Sequence, residues 1–226
     1  KRDSGTFSIS QEGIHRIGFQ TRDIIGNQSK EKVIDVIVDN APPEIKMEID
    51  KYVKLKLGCF VHPDTKFSLI AGDDASGVDD VLYKIDAGEW KKYSGAFSIL
   101  EGGIHRIGFR TRDNMGNQSK EKGIDVIVDR IPPEVVLVTD KDEIVKDGDS
   151  VLPWCRFKLK ANDDGVGIDK LYFSVDGSKL TEYSEPFSIS DKEIHQIKFQ
   201  ATDLLGNRSD IEVVKLVVKH RLPEEK

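Results

Sequence analysis

Long hydrophobic runs are absent. No stretch of about 18 apolar residues occurs in the 226-residue chain, so no helix is expected to span a membrane. Cysteine is scarce. Cys59 and Cys155 fall in different segments at non-equivalent positions, which predicts no disulfide within a domain and reads as two small, partly buried apolar residues. An excess of positive charge is missing too: the formal net charge is -6 and the pI about 5.5. Phosphate contacts need a basic surface, so nucleic acid is excluded as the main partner. Nucleophile elbows, phosphate loops, zinc spacings and paired catalytic carboxylates are all missing, and short sandwiches have no deep cleft in which to desolvate a reaction. No enzyme activity is expected.

What the chain does have is a period. Gly26-Asn27, Gly116-Asn117 and Gly206-Asn207 lie 90 residues apart, and residues 1–40 match 91–130 at about 29 of 40 positions. Lys1 aligns with Lys91, so the chain is expected to start inside a repeat. Asp39-Asn40-Ala41-Pro42-Pro43 and Asp129-Arg130-Ile131-Pro132-Pro133 close successive units with prolines that stop strand pairing. The expected domains are 1–40, the C-terminal half of a repeat; 41–130 and 131–220, two full repeats; and 221–226, a linker or tail after which a further unit is expected.

Within a repeat, alternation has period two. Glu44–Ile49, Tyr52–Leu57 and Lys66–Ala71 are candidate strands, followed by Val81, Tyr83 and Ile85 on one inward face. A tight turn at Asp86-Ala87-Gly88-Glu89 leads to Phe97–Leu100, then Ile107 with Phe109, and Ile124, Val126 and Val128. Seven or so short strands with no helical periodicity predict an all-β fold of tandem Ig-like antiparallel β-sandwiches. A transmembrane barrel would turn Lys84, Arg106, Arg110 and Lys122 toward lipid, at a few kcal/mol each near the midplane. Residues 1–40 are expected to supply three strands. Alone they would expose Ile17, Phe19, Val36 and Val38, an edge suited to strand pairing with another chain.

The recurring residues have two readings each. Asp113-Asn114-Met115-Gly116-Asn117 reads as a turn in which Asp accepts from the backbone two residues on and Gly takes φ > 0. His15, His105 and His195 share a face with inward apolar residues and read as a corner bonding back to the backbone, since no second metal ligand or base partner is evident. Asp73, Asp74 and Asp113, with Asp39 and Asn40 of the arriving linker, could supply oxygens to one Ca²⁺; the other reading is an acidic loop capped by its own backbone. The second junction has Arg130 in place of Asn40, which weakens that case there. Trp154, where the preceding unit has Asp64, is a candidate ligand contact for a sugar ring, or else buried. Trp90 reads as packing.

The succession Asp73/Asp74 to Ser76-Gly77-Val78, Tyr83 to Asp86, Tyr93-Ser94-Gly95 to Phe97, Gly103-Ile104-His105, Asp113 to Gly116-Asn117, and Asp129 to Pro132-Pro133 resembles bacterial Ig-like surface repeats. Such repeats occur in spirochaete outer-membrane adhesins and as accessory modules of large secreted enzymes. The third unit departs from the pattern at Glu193, Gly165 and Leu180. The resemblance implies a bacterial cell-surface or extracellular location. It also implies a stalk or adhesin binding host extracellular-matrix protein or polysaccharide. The alternative is a spacer or carbohydrate-associated module of a large secreted hydrolase.

Overall fold

The computed structural model describes residues 5–191 and 193–219; the 221–226 tail lies outside the described residues. Every regular element among them is a strand. The first repeat contributes β1 (Gly13–Phe19) and β2 (Lys32–Val38). The second contributes β3 (Glu44–Ile49), β4 (Val53–Leu55), β5 (Gly58–Val61), β6 (Phe67–Gly72), β7 (Val78–Ile85), β8 (Lys91–Lys92), β9 (Gly103–Asp113) and β10 (Lys122–Val128). The third contributes β11 (Glu134–Thr139), β12 (Asp149–Val151), β13 (Arg156–Asn162), β14 (Ile168–Val175), β15 (Thr181–Glu182), β16 (Phe187–Ser188), β17 (Ile194–Asp203) and β18 (Glu212–Val218).

The chain divides into two compact units, and the division runs through the second repeat, not at the proline linkers. One unit holds Lys1–Ile49, Phe67–Phe97 and Arg106–Ile124; the other holds Asp50–Lys66, Ser98–His105 and Asp125–Lys226.

In the unit that contains the third repeat, two sheets are built in the orders β11-β13-β16 and β12-β18-β17-β14-β15. Alternation supplies the inner faces. Val135 and Leu137 of β11 and Phe157 and Leu159 of β13 meet Ile197, Phe199 and Ala201 of β17 and Leu216 and Val218 of β18 in one core. The register keeps like faces together: Phe173 opposes Phe199, and Ile197 opposes Val214. The short β12 crosses to the far sheet and pairs parallel to β18. Two sheets sharing a core, antiparallel but for β12, with that early strand changing sheets, make an Ig-like sandwich.

The other unit repeats the logic. Ile45 of β3, Leu69 of β6 and Phe109 of β9 form its core, with Val81, Tyr83, Tyr93 and Ile124 packed around them. Phe97 bridges to Phe67 and stacks on Tyr83 with ring centroids 4.1 Å apart. Trp90 is packing, as its neighbours show: Lys84 Nζ and the Arg110 guanidinium both stand over its ring, at 4.5 and 4.2 Å. Such contacts are worth roughly 0.5–1 kcal/mol each at an exposed site.

Residues 5–40 give two strands, not the three expected. β1 pairs with β2 from Gly13↔Val38 to Phe19↔Lys32. The third strand would correspond to β16, which exists only by pairing with β13, and no described residue of the first repeat plays the part of β13. Phe19 is exposed, whereas Ile17, Val36 and Val38 are half-buried. β5 was not expected; it forms because Gly58 at φ 149° lets the chain fold β4 back on it as a short hairpin.

Phe157 is fully buried and Ile194 is 71% exposed. Phe157→Ala is expected to cost about 3–5 kcal/mol and Ile194→Ala less than about 0.5 kcal/mol, read as shifts in urea unfolding midpoints.

Candidate metal centre

The Asp-x-x-Gly-Asn turn is built the same way three times. Asp113 Oδ1 accepts from the backbone N–H groups of Met115 (2.9 Å) and Asn117 (2.8 Å), and Oδ2 accepts from Asn117 Nδ2 at 2.7 Å. Asp23 and Asp203 do likewise with Asn27 and Asn207. Gly116 sits at φ 95°, which only glycine takes without strain. The following Ser explains its own recurrence: Ser29, Ser119 and Ser209 Oγ accept from the N–H of Thr21, Thr111 and Ala201. Burial pushes the Asp113 carboxyl up, but the Asn117 side chain and backbone N–H donors outweigh it and hold it below the ordinary range.

The second and third of these turns then grip the linker that precedes their own repeat. Asn117 Nδ2 donates to the Asp39 carbonyl at 3.0 Å, and Asn207 Nδ2 to the Asp129 carbonyl at 3.3 Å. The neighbouring loop joins in, as Asn114 N donates to Gly77 O and Leu204 N to Gly167 O, both at 3.1 Å. The result is one acidic trio at each linker. Oxygens of Asp39, Asp73 and Asp113 lie within 4.8 Å of one another, as do those of Asp129, Asp163 and Asp203. Asn40 and Asp74 are not in the first trio: both are exposed, and Asn40 Nδ2 donates to Ser10 O.

The two trios differ in how their oxygens are used. In the first, Asp39 Oδ1 accepts from Ala41 N (3.0 Å) and Oδ2 from Ser76 N (3.1 Å), while Asp73 Oδ1 accepts from Ala75 N and Gly77 N. In the second, Asp129 Oδ1 accepts from Ile131 N, and Asp163 Oδ2 from Gly165 N and Gly167 N. Asp129 Oδ2 and Asp163 Oδ1 are buried with no protein donor. Burial raises the Asp129 carboxyl above its usual range; the Ile131 N–H opposes this, and the negative charges of Asp163 and Asp203 add to it.

In the sequence, Arg130 weakened the case for a site at the second junction. The 90-residue period was the signal that locates it, since Asp39, Asp73 and Asp113 map onto Asp129, Asp163 and Asp203. Arg130 does not compete; its stem lies against Gly102. A second feature was also missed. Phe60 of the second repeat packs with Val166 and Leu205 of the third, flanked by Val53 and Ile127, and Lys51 Nζ donates to Leu205 O at 2.8 Å. Leu205 is 2% exposed, whereas its counterpart Met115 is 60% exposed. An apolar residue at a turn tip was the available clue.

Trp154 is 69% exposed on the turn closed by Cys155 N to Leu152 O. The histidines are corners: Nε2 of His15, His105 and His195 meets the carbonyl four residues upstream, at 2.6, 3.0 and 3.3 Å. In His195, Nδ1 also meets Asp176 Oδ2 at 2.7 Å. Both ring nitrogens face acceptors, so the ring is satisfied on both sides only as imidazolium. Burial lowers its pKa, but the Asp176 carboxylate and Asp191 carbonyl raise it further, for a net rise. The Cys59 and Cys155 thiols are free and pushed up by burial, so little thiolate is present at neutral pH.

With a raised folded pKa, the stabilisation from His195 is complete below the unfolded value of about 6.5 and is lost as pH rises through the folded one. The difference in stability between wild type and His195→Gln is expected to be on the order of 1 kcal/mol near pH 6, because Asp176 is half-exposed, and to shrink by pH 9. Parallel urea unfolding at the two pH values measures it.

Among known proteins, no family model and no curated relative matches the chain. Similar solved structures include fibronectin(III)-like modules of Clostridium thermocellum CbhA. These are 16% identical, with a TM-score of 0.41 over 80% of this chain and 98% of that one. Dimeric latent PorU from Porphyromonas gingivalis is 15% identical at 0.34, covering 94% of this chain but only 25% of PorU. The D00-D0 domain of Intimin is 10% identical at 0.33, covering 78% of this chain and all of that one. The fold that this chain's own residues build is the Ig-like sandwich.

Proposed function

We propose that the chain is a non-catalytic segment of a bacterial cell-surface or extracellular Ig-like repeat array. It acts as a stalk and as an adhesive surface for host extracellular-matrix protein or polysaccharide. The observation that carries this reading is the repeated joint: the same Asn, 90 residues apart, bonds the carbonyl of the linker Asp in successive repeats. A joint copied with the repeat serves an array, because weak contacts multiplied along it raise avidity without a deep pocket. Trp154, standing in water on a turn, is the side chain best placed for such a contact, since an indole face stacks on a sugar ring or covers an apolar patch.

We also propose strand pairing at β1: among the described residues it pairs with β2, whereas its counterparts β9 and β17 are flanked on both sides, by β7 and β10 and by β14 and β18. Another chain could add a strand there. The buried seam of Phe60, Val166 and Leu205 favours the spacer reading, in which the segment holds the domains of a large secreted hydrolase apart or accompanies its carbohydrate-binding parts.

Binding of the full chain to immobilised matrix proteins and polysaccharides, with salt varied, separates the two. An adhesive array gives saturable binding, weakened about tenfold or more by Trp154→Ala, as expected when a central aromatic contact is removed. Absence of binding on every surface leaves the spacer.

A further inference from the structure

The second acidic trio contains two buried carboxylate oxygens that nothing in the protein satisfies, Asp129 Oδ2 and Asp163 Oδ1. Asp129 is only 7% exposed. Asp129 belongs to a set of three carboxylates that each bring an oxygen within 4.8 Å of the others. A buried acceptor without a partner is costly, more so when charged, and three converging negative charges repel one another. Native structures rarely leave such a group unexplained.

The first trio shows how the same frame is relieved from within. There Ser76 N reaches Asp39 Oδ2. In the third repeat Val166 takes the place of Ser76, its backbone N–H does not reach Asp129 Oδ2, and its side chain packs in the apolar seam with Phe60 and Leu205. Gly165 takes the place of Ala75, and a Cβ at Gly165 would overlap Asp129 Oδ2. Loss of that methyl lets the Asp129 carboxylate lie over the loop, facing Asp163.

Meanwhile the backbone holds the outer oxygens in place. Ile131 N fixes Asp129 Oδ1, and Gly165 N and Gly167 N fix Asp163 Oδ2. Three backbone N–H groups fix Asp203 Oδ1. Asp203 Oδ2 also accepts from Asn207 Nδ2 at 2.7 Å, so it enters the trio as an oriented carboxylate beside two oxygens with no donor, Asp129 Oδ2 and Asp163 Oδ1. Carboxylates oriented from behind are what a hard cation requires. An open cleft reaches Asp129 and Gly165 at the edge of the trio.

We propose that Asp129, Asp163 and Asp203 hold one hard divalent cation of the Ca²⁺ class, tying the linker after the second repeat to two loops of the third. Water completes the six to eight oxygens such an ion takes. The proposal stands whether or not the array adheres, because its readouts are binding of the metal alone and melting.

The test uses the full chain, stripped with chelator, titrated calorimetrically with CaCl₂ and in parallel with MgCl₂, and melted with and without each. The expected result is a single Ca²⁺ site and a midpoint raised by roughly 5–10 °C at a hundredfold excess over Kd. Asp129→Asn and Gly165→Ala are both expected to lose the site, and Asp39→Asn to keep it. Gly165→Ala removes no charge and copies the residue of the preceding repeat, so it remains informative if Asp129→Asn fails to fold. No heat and no shift with either salt would overturn the proposal and leave a shared proton as the relief of the two oxygens. So would a site that survives Gly165→Ala or disappears in Asp39→Asn, and Mg²⁺ bound in place of Ca²⁺ would overturn the calcium assignment.

Discussion

The carboxylate at the end of each penultimate strand is the group on which the rest depends. Asp203 accepts four hydrogen bonds, three from backbone N–H groups and one from Asn207 Nδ2, and so braces a turn whose backbone is also closed by Asp203 N to Asn207 O and Ser209 N to Ala201 O. The same Asn207 amide, with its second hydrogen, reaches the Asp129 carbonyl. A single Asp–Asn pair therefore does two things at once: it ends a strand and it fixes the entering linker. Buried acceptors demand donors. The motif recurs because removing either partner would orphan the turn and the linker together.

Much of the sandwich was legible because it rests on local rules. Period-two alternation locates β7, β9, β10 and their third-repeat equivalents, since one face must meet the core and the other water. The turn was legible as well, because Asp and Gly at those positions have few other uses. The short β5 was not, as its identity depends on a parallel partner, β10, more than sixty residues away. The missing third strand of residues 5–40 has the same cause: a two-residue strand such as β16 has no intrinsic signal and exists only where a partner offers a ladder.

The candidate site was half legible. Asp39, Asp73 and Asp113 were readable as oxygens brought to one pole, but Asn40 and Asp74 were added on proximity in sequence, and neighbouring residues in an extended linker point in opposite directions. The second trio was present in the repeat arithmetic and obscured by Arg130, a residue whose stem turns away to Gly102. Which carboxylate oxygens are satisfied could not be read at all, because that depends on single backbone N–H directions.

Three differences between the second and third repeats acquire a common meaning at this pole. Ala75 becomes Gly165, Ser76 becomes Val166 and Met115 becomes Leu205. Each taken singly is an ordinary loop substitution. Together, two of them place apolar side chains against Phe60 and the third frees a carboxylate to turn inward. The apolar seam borders the pole, and burial beside apolar side chains strengthens every electrostatic interaction there, attractive or repulsive. A buried joint with three converging carboxylates is less stable than an exposed one unless something positive enters it. Hydrophobic contact and charge at this joint are therefore not independent: the seam that stiffens the connection is also what makes the unsatisfied oxygens matter.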